Sequence, residues 1–230
     1  MLGLAKPVSA SNTLRVLAAL LSYPDAAMRA YLPEMRDILR NASVVPDARR
    51  AELDALIDSL ARTDHLEVEA DYVELFDRGR GTSLHLFEHV HGDSRDRGPA
   101  MIDLAQTYEQ AGLYLAPGEL PDYLPAVLEF VSTQPPREAV AFLSEMAHIF
   151  TAIFSALCER ASPYASVLGA LLELAGEKAQ AVALAAEPSL DEAWVEPTVF
   201  DGCSTKGQAK PGQPQPIHIV RKSAKSGVAL

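Results

Sequence analysis

The sequence is poor in the parts from which most active sites are built. Its two cysteines, Cys158 and Cys203, form no C-x-x-C motif and no disulfide framework, which suits a reducing compartment such as the cytoplasm. Cys158 falls in an apolar stretch and is expected in the core, and Cys203 has no histidine near it in sequence. Aromatic residues are 7% of the chain, with one tryptophan, so Ala and Leu supply most of the apolar volume, which favours helix. No apolar/polar alternation persists outside Ile217–Val220, which excludes a sheet-based fold, and there is no internal repeat. No glycine-rich phosphate loop is present, because Gly79-Arg-Gly81 is too short and follows a helical pattern.

Long apolar runs are equally scarce. Val16–Leu21 is too short for a signal peptide and lies between Arg15 and Pro24. Only Ala139–Cys158 has the length of a membrane span, and Glu145 near its middle would be costly in lipid. It reads as the central buried helix of a bundle, so an integral membrane protein is not expected. Basic charge is the other deficit: 20 Lys and Arg face 31 Asp and Glu, a net −11. Residues 202–230 hold five of those cations and no acid, leaving −16 on residues 1–201. Such a body does not suit nucleic acid, whose phosphates need clustered Lys and Arg, but it suits a basic peptide. The bland alternative is that the acidity only confers solubility.

What remains is a series of amphipathic helices. Leu14, Leu17, Ala18 and Leu21 share one face of a first helix that Pro24 ends. Asp25 caps a second, continued past Pro33, and a third spans about 47–62 with Leu53, Leu56, Ile57 and Leu60 as its stripe. Further helices are expected at 66–77, from Thr82 or Ser83 to Val90, and from about Pro99 with Met101, Leu104, Ala105, Tyr108 and Ala111 facing inward. Ser94 or Asp96 caps that last one, after a charged connector 93–98, and Gly112 ends it. Asp122 opens another, and long helices follow at 137–161 and 164–186. The expected fold is therefore all-α, one domain of eight or nine helices over 1–201. The Gly-, Pro- and Lys-rich stretch 202–230 is expected to be a disordered tail, with Ile217–Val220 as its one docking candidate.

One stretch is unlike the rest: Asp71–Gly98, DYVELFDRGRGTSLHLFEHVHGDSRDRG. Within it His85-Leu-Phe-Glu88-His89 spells H-x-x-E-H, the inverted zinc-peptidase pattern. On a helix, residues four apart share a face, so both imidazoles would reach one zinc ion and Glu88 would serve as base. The plainer alternative has the same histidines bonded to neighbouring carboxylates and carbonyls. Three fixed positions are weak evidence for the metal.

The longer string carries more. LFDRGRGTSLHLFEHVHGDSRDRGPAMIDL, then Tyr108, GLYLAPGELPDYLP and LEFV, closely resembles the NarJ family of nitrate reductase assembly chaperones, within the TorD-like group. The likeness is densest from Tyr72 to Val131 and extends loosely to LAALLSYP, DEAWVEP and the region of Cys203. The resemblance implies a TorD-like helical fold, no catalysis and no stably bound metal or cofactor. It also implies a cytoplasmic chaperone for the catalytic subunit of a membrane-bound nitrate reductase. Such a chaperone binds that subunit's N-terminal segment and holds the apo form open for molybdenum cofactor and iron–sulfur insertion. Tyr72, Phe76, Leu86, His89, Tyr108, Tyr114, Leu115 and Tyr123 are the candidate client-binding residues. Phe76, with Phe87 and Leu124, suits the core better than a groove, and for the tyrosines groove and core both stay open. Asp77, Arg80, His85, Glu88, His91, Arg95 and Arg97 are expected to be structural. The rivals are a zinc hydrolase built on His85, Glu88 and His89, and a helical interaction protein with another client.

Overall fold

The computed structural model describes residues 10–92 and 94–183. Asp93, DEAWVEP, Cys203, the stretch 202–230 and its Ile217–Val220 lie outside the described residues. Those described fall in one compact unit with ten α-helices and no strand. The expected count was eight or nine, and the segment around Pro33 accounts for part of the difference. It splits at Tyr31, the cap residue shared by the two, into α2 (Ala26–Ala30) and α3 (Leu32–Arg40).

The core is made by α1 (Ala10–Leu21), α4 (Asp47–Arg62), α8 (Leu124–Thr133), α9 (Pro136–Glu159) and α10 (Ala165–Leu174). Helix α1 lies along α8, and α9 along α10. Leu17, Leu20, Leu21, Leu53, Leu56, Leu128, Phe150 and Ile153 are sealed from solvent between them. Each such side chain contributes about 1.5–3 kcal/mol by leaving water. Helix α9 is long and apolar enough to span a bilayer, and half of that stretch is buried inside the protein. Cys158, at its exposed last turn, is not the core residue expected.

Local signals set several ends. Asp25 Oδ1 accepts the Met28 N–H at 2.7 Å, the cap that its position predicted. Gly112, at φ +77, closes α7 (Arg97–Gln110) with Leu113 N–H bonded to the Tyr108 carbonyl at 2.9 Å. Gly176, at φ +85, does the same for α10, which therefore stops at Leu174 instead of running to 186.

The unusual stretch departs most from expectation. Helix α5 (His65–Tyr72) passes into a π turn, Val73–Asp77, closed by Arg78 N–H on the Val73 carbonyl at 3.2 Å. A 3-10 turn, Arg80–Thr82, follows. Gly79 is required there by space, since a Cβ would lie 2.9 Å from the Leu75 carbonyl oxygen and against Thr82. Helix α6 begins only at Leu86 and ends at His91, so neither Thr82 nor Ser83 caps it. Helix α7 starts at Arg97, with Asp96 before it making no side-chain cap. Of the inner face expected for α7 only Tyr108 is buried; Met101, Leu104 and Ala105 are half-buried, and Ala111 is exposed.

Candidate functional site

Asp122 organises the unusual stretch, although it precedes α8 rather than lying within it. Tyr123 takes the position before α8, and Asp122 turns away from that helix. The backbone from Leu84 to Leu86 pairs with 122–124: Leu124 N–H bonds the Leu84 carbonyl at 2.8 Å, and Leu86 N–H bonds the Asp122 carbonyl at 3.0 Å. This places the wholly buried Asp122 carboxylate at the start of α6. It accepts the Phe87 N–H at 3.1 Å and faces His85 Nδ1 at 3.4 Å and Arg97 Nη2 at 3.7 Å. A buried carboxylate needs such partners, and here they come from two segments, the start of α6 and the start of α7.

Second contacts brace the same cluster. Arg97 reaches Glu88 at 3.4 Å, and the Ser83 hydroxyl donates to the other Glu88 oxygen at 2.6 Å. His85 carries a raised pKa, chiefly through its hydrogen bond to Asp122, with the charges of Asp122 and Glu88 adding to it. Burial and Arg97 oppose that rise. Asp77, Arg80, Glu88, Gly92 and Arg97 line a polar cavity of about 280 Å3. The His91 ring meets Phe87 edge-on at 5.4 Å, and Arg95 is exposed.

The H-x-x-E-H geometry does not form. His85 is extended, at φ −87 and ψ 103, and stands outside α6, so it does not share a helical face with His89. His89 Nε2–H donates to the Ser83 carbonyl at 2.8 Å, while His85 turns to Asp122. Among the described residues no cluster of His, Cys, Asp and Glu has metal-binding geometry.

The eight candidate client-binding residues separate into two groups. Tyr72, Phe76 and Leu86 are buried in the core, and Tyr108, also buried, lies beneath a groove. The Tyr72 hydroxyl donates to the Leu21 carbonyl at 2.7 Å and meets the Tyr123 hydroxyl at 3.1 Å. Burial drives the Tyr72 pKa far up, and Tyr123 raises it further. Tyr123 is half-buried, its ring 5.4 Å from that of His85. His89 is half-buried and committed to Ser83. Tyr108, Tyr114 and Leu115 share one groove, of about 390 Å3.

That groove lies between the loop after α7 and the outer faces of α1 and α8. The Tyr108 ring packs on Phe130 with centroids 4.8 Å apart, its hydroxyl donating to the Pro121 carbonyl at 2.8 Å, and the two rings form the floor. Leu113 and Leu115 line one wall, and Tyr114, 80% exposed, stands at the lip. Glu119 and Glu129 supply its acids, and Arg15 is tied to the Ser132 hydroxyl at 3.1 Å. Reading the sequence missed Phe130, Glu129 and Asp122. Phe130 and Glu129 are adjacent members of a helix with no unusual spacing, and the only sign of Asp122 was an acid set in the apolar string PDYLP.

Comparison with known proteins agrees with this fold and this stretch. Residues 25–168 match the family model described as nitrate reductase delta subunit. The chain is 45% identical over 160 residues to the nitrate reductase molybdenum cofactor assembly chaperone NarJ of Escherichia coli (strain K12). That match covers 70% of this chain and 68% of the relative. A Bacillus subtilis (strain 168) protein of the same NarJ designation is 31% identical over 160 residues, covering 70% of this chain and 86% of its own. The crystal structure of an Archaeoglobus fulgidus protein assigned to redox enzyme maturation superposes with a TM-score of 0.56 at 19% identity. It covers 77% of this chain and 100% of that one, and the likeness is one of fold.

Proposed function

The chain belongs to the nitrate reductase delta subunit family, and from that membership we propose that it is an assembly chaperone for a nitrate reductase. In this reading it promotes insertion of molybdenum cofactor into the catalytic subunit in the cytoplasm, with the cofactor as cargo for the client. The finer proposal is that it binds the N-terminal segment of that subunit. It thereby keeps the apo form open for molybdenum cofactor and iron–sulfur insertion before membrane docking. The work is differential binding: the chaperone favours the open, cofactor-free client and releases it when that state is lost.

The groove above Tyr108 and Phe130 carries this reading. Its aromatic floor and leucine wall suit the apolar face of an amphipathic helix, and Glu119 and Glu129 suit that helix's Lys and Arg. Apolar contact would supply most of the affinity, and the acids mainly the association rate and salt dependence.

Titration calorimetry of the full chain with the N-terminal peptide of the nitrate reductase catalytic subunit tests the proposal. Saturable binding that weakens in Leu115→Ala supports it, and no binding by the wild type removes the peptide ligand. Copurification of the client from wild-type and cofactor-deficient cells tests the chaperone role itself. The chaperone should hold more client where the cofactor cannot be made.

A further inference from the structure

Helix α7 is loosely seated on the rest of the protein. Met101, Leu104, Ala105 and Tyr108 recur at helical spacing on its inner face, yet only Tyr108 of its 14 residues is buried. Helix α8, with ten residues, buries seven. Left-handed glycines bound α7: Gly92 (φ +50) before it, Gly112 (φ +77) at its end and Gly118 (φ +92) in the following loop. A Cβ at any of the three would meet nothing within 4 Å, so backbone conformation and not crowding selects glycine.

Two side chains catch this helix, and both reach one dipeptide, with Arg97 also bonded to Glu88 of α6. At the N-terminal end Arg97 reaches the Asp122 carboxylate; near the C-terminal end the Tyr108 hydroxyl reaches the Pro121 carbonyl. Among the described residues no other α7 side chain hydrogen-bonds outside the helix and its cap. An element with one buried side chain, two polar catches and glycine joints belongs to the low-stability end of a fold, where local opening costs less than unfolding.

We propose that α7 is a strap that lifts about Gly92 and the Gly112–Gly118 loop, and that its apolar inner face then becomes a second wall of the client groove. The strap and the groove already share Tyr108, and Leu113–Leu115 follow directly from the helix. The occupant is an amphipathic helix with a basic outer face, so the docking half of this inference rests on the function proposed above. Met101, Leu104 and Tyr108 present the apolar stripe. Glu109 lies beside that stripe on α7 and is exposed, and Glu119 and Glu129 supply the acids of the groove itself. Two of the nearby cations are already engaged, Arg15 by Ser132 and Arg97 by Asp122 and Glu88.

Amide hydrogen exchange on the full chain, without peptide, judges the strap alone. Amides in 101–110 should exchange at least about tenfold faster than those of α9 and α10. Tyr108→Phe, which keeps the ring but removes the catch on Pro121, should speed α7 further and leave α9 unchanged. Equal protection of α7 and α9, or equal acceleration of both, overturns the strap. Stopped-flow mixing with the client N-terminal peptide judges the docking half. Arg97→Gln lies outside the groove and should raise the association rate about threefold or more by freeing one catch. An unchanged rate in a variant whose α7 amides do exchange faster overturns the second wall. Absence of binding by the wild type overturns the client reading and the docking half together, while the exchange data still decide the strap.

Discussion

The buried carboxylate of Asp122 caps a helix to which it does not belong, accepting the Phe87 N–H at 3.1 Å across 35 residues of chain. Helix α6 has six residues, too few to be stable on propensity. Its place therefore depends on this bond, on the backbone pairing of Leu86 with Asp122, and on Arg97 beside them.

Replacing Asp122 with Ala should cost about 2–4 kcal/mol of stability. The change leaves the Phe87 N–H without its acceptor and deprives His85 and Arg97 of their shared anion. Urea denaturation measures it. A midpoint equal to wild type would mean that α6 is positioned by packing alone.

His85 makes stability depend on pH in a definite direction. Its folded pKa is raised above the ordinary value of 6.5, so the stabilisation is fully present below that value and is lost as pH rises through the folded pKa. The groups facing it are Asp122 and Glu88, which favour the charged ring, and Arg97, which opposes it. The difference in urea midpoint between wild type and His85→Gln should be largest near pH 5.5 and shrink toward pH 8.5. A difference that grows with pH would show that the imidazole is held neutral.

Two buried tyrosines should respond oppositely to loss of the hydroxyl. Tyr72→Phe removes bonds to the Leu21 carbonyl and to Tyr123 and should cost about 1–2 kcal/mol. The Tyr164 hydroxyl is buried with no hydrogen-bond partner among the described residues, so Tyr164→Phe should be neutral or stabilising. Thermal unfolding of both variants checks the pair. Equal losses would indicate an ordered water on Tyr164.

Tyr114 offers a test of the groove that leaves the core alone. Its side chain is 80% exposed at the lip, so Tyr114→Ala should unfold at the wild-type temperature. Binding of the catalytic subunit's N-terminal peptide should weaken by about 1–2 kcal/mol if the ring closes over the ligand. Calorimetry showing unchanged affinity would place the ligand away from the lip.

The sequence by itself determined the all-α class, the main apolar stripes and the ends marked by Asp25 and Gly112. These signals are local: a cap needs a partner three residues on, and a left-handed glycine needs only its own turn. Gly176 carried the same kind of signal inside a long apolar run, where the run masked it. The string from Tyr72 to Val131 also carried the family likeness. Only the tertiary structure decided that His85 lies outside the helix of His89, because backbone pairing with residues 122–124 holds it extended. Only it decided which tyrosines are core and which meet a groove, because the spacing that sets a helical face does not say what packs against that face. Asp122 was illegible for the same reason: each partner of its side chain lies at least 25 residues away in sequence, and what the residue does is set by where the chain returns.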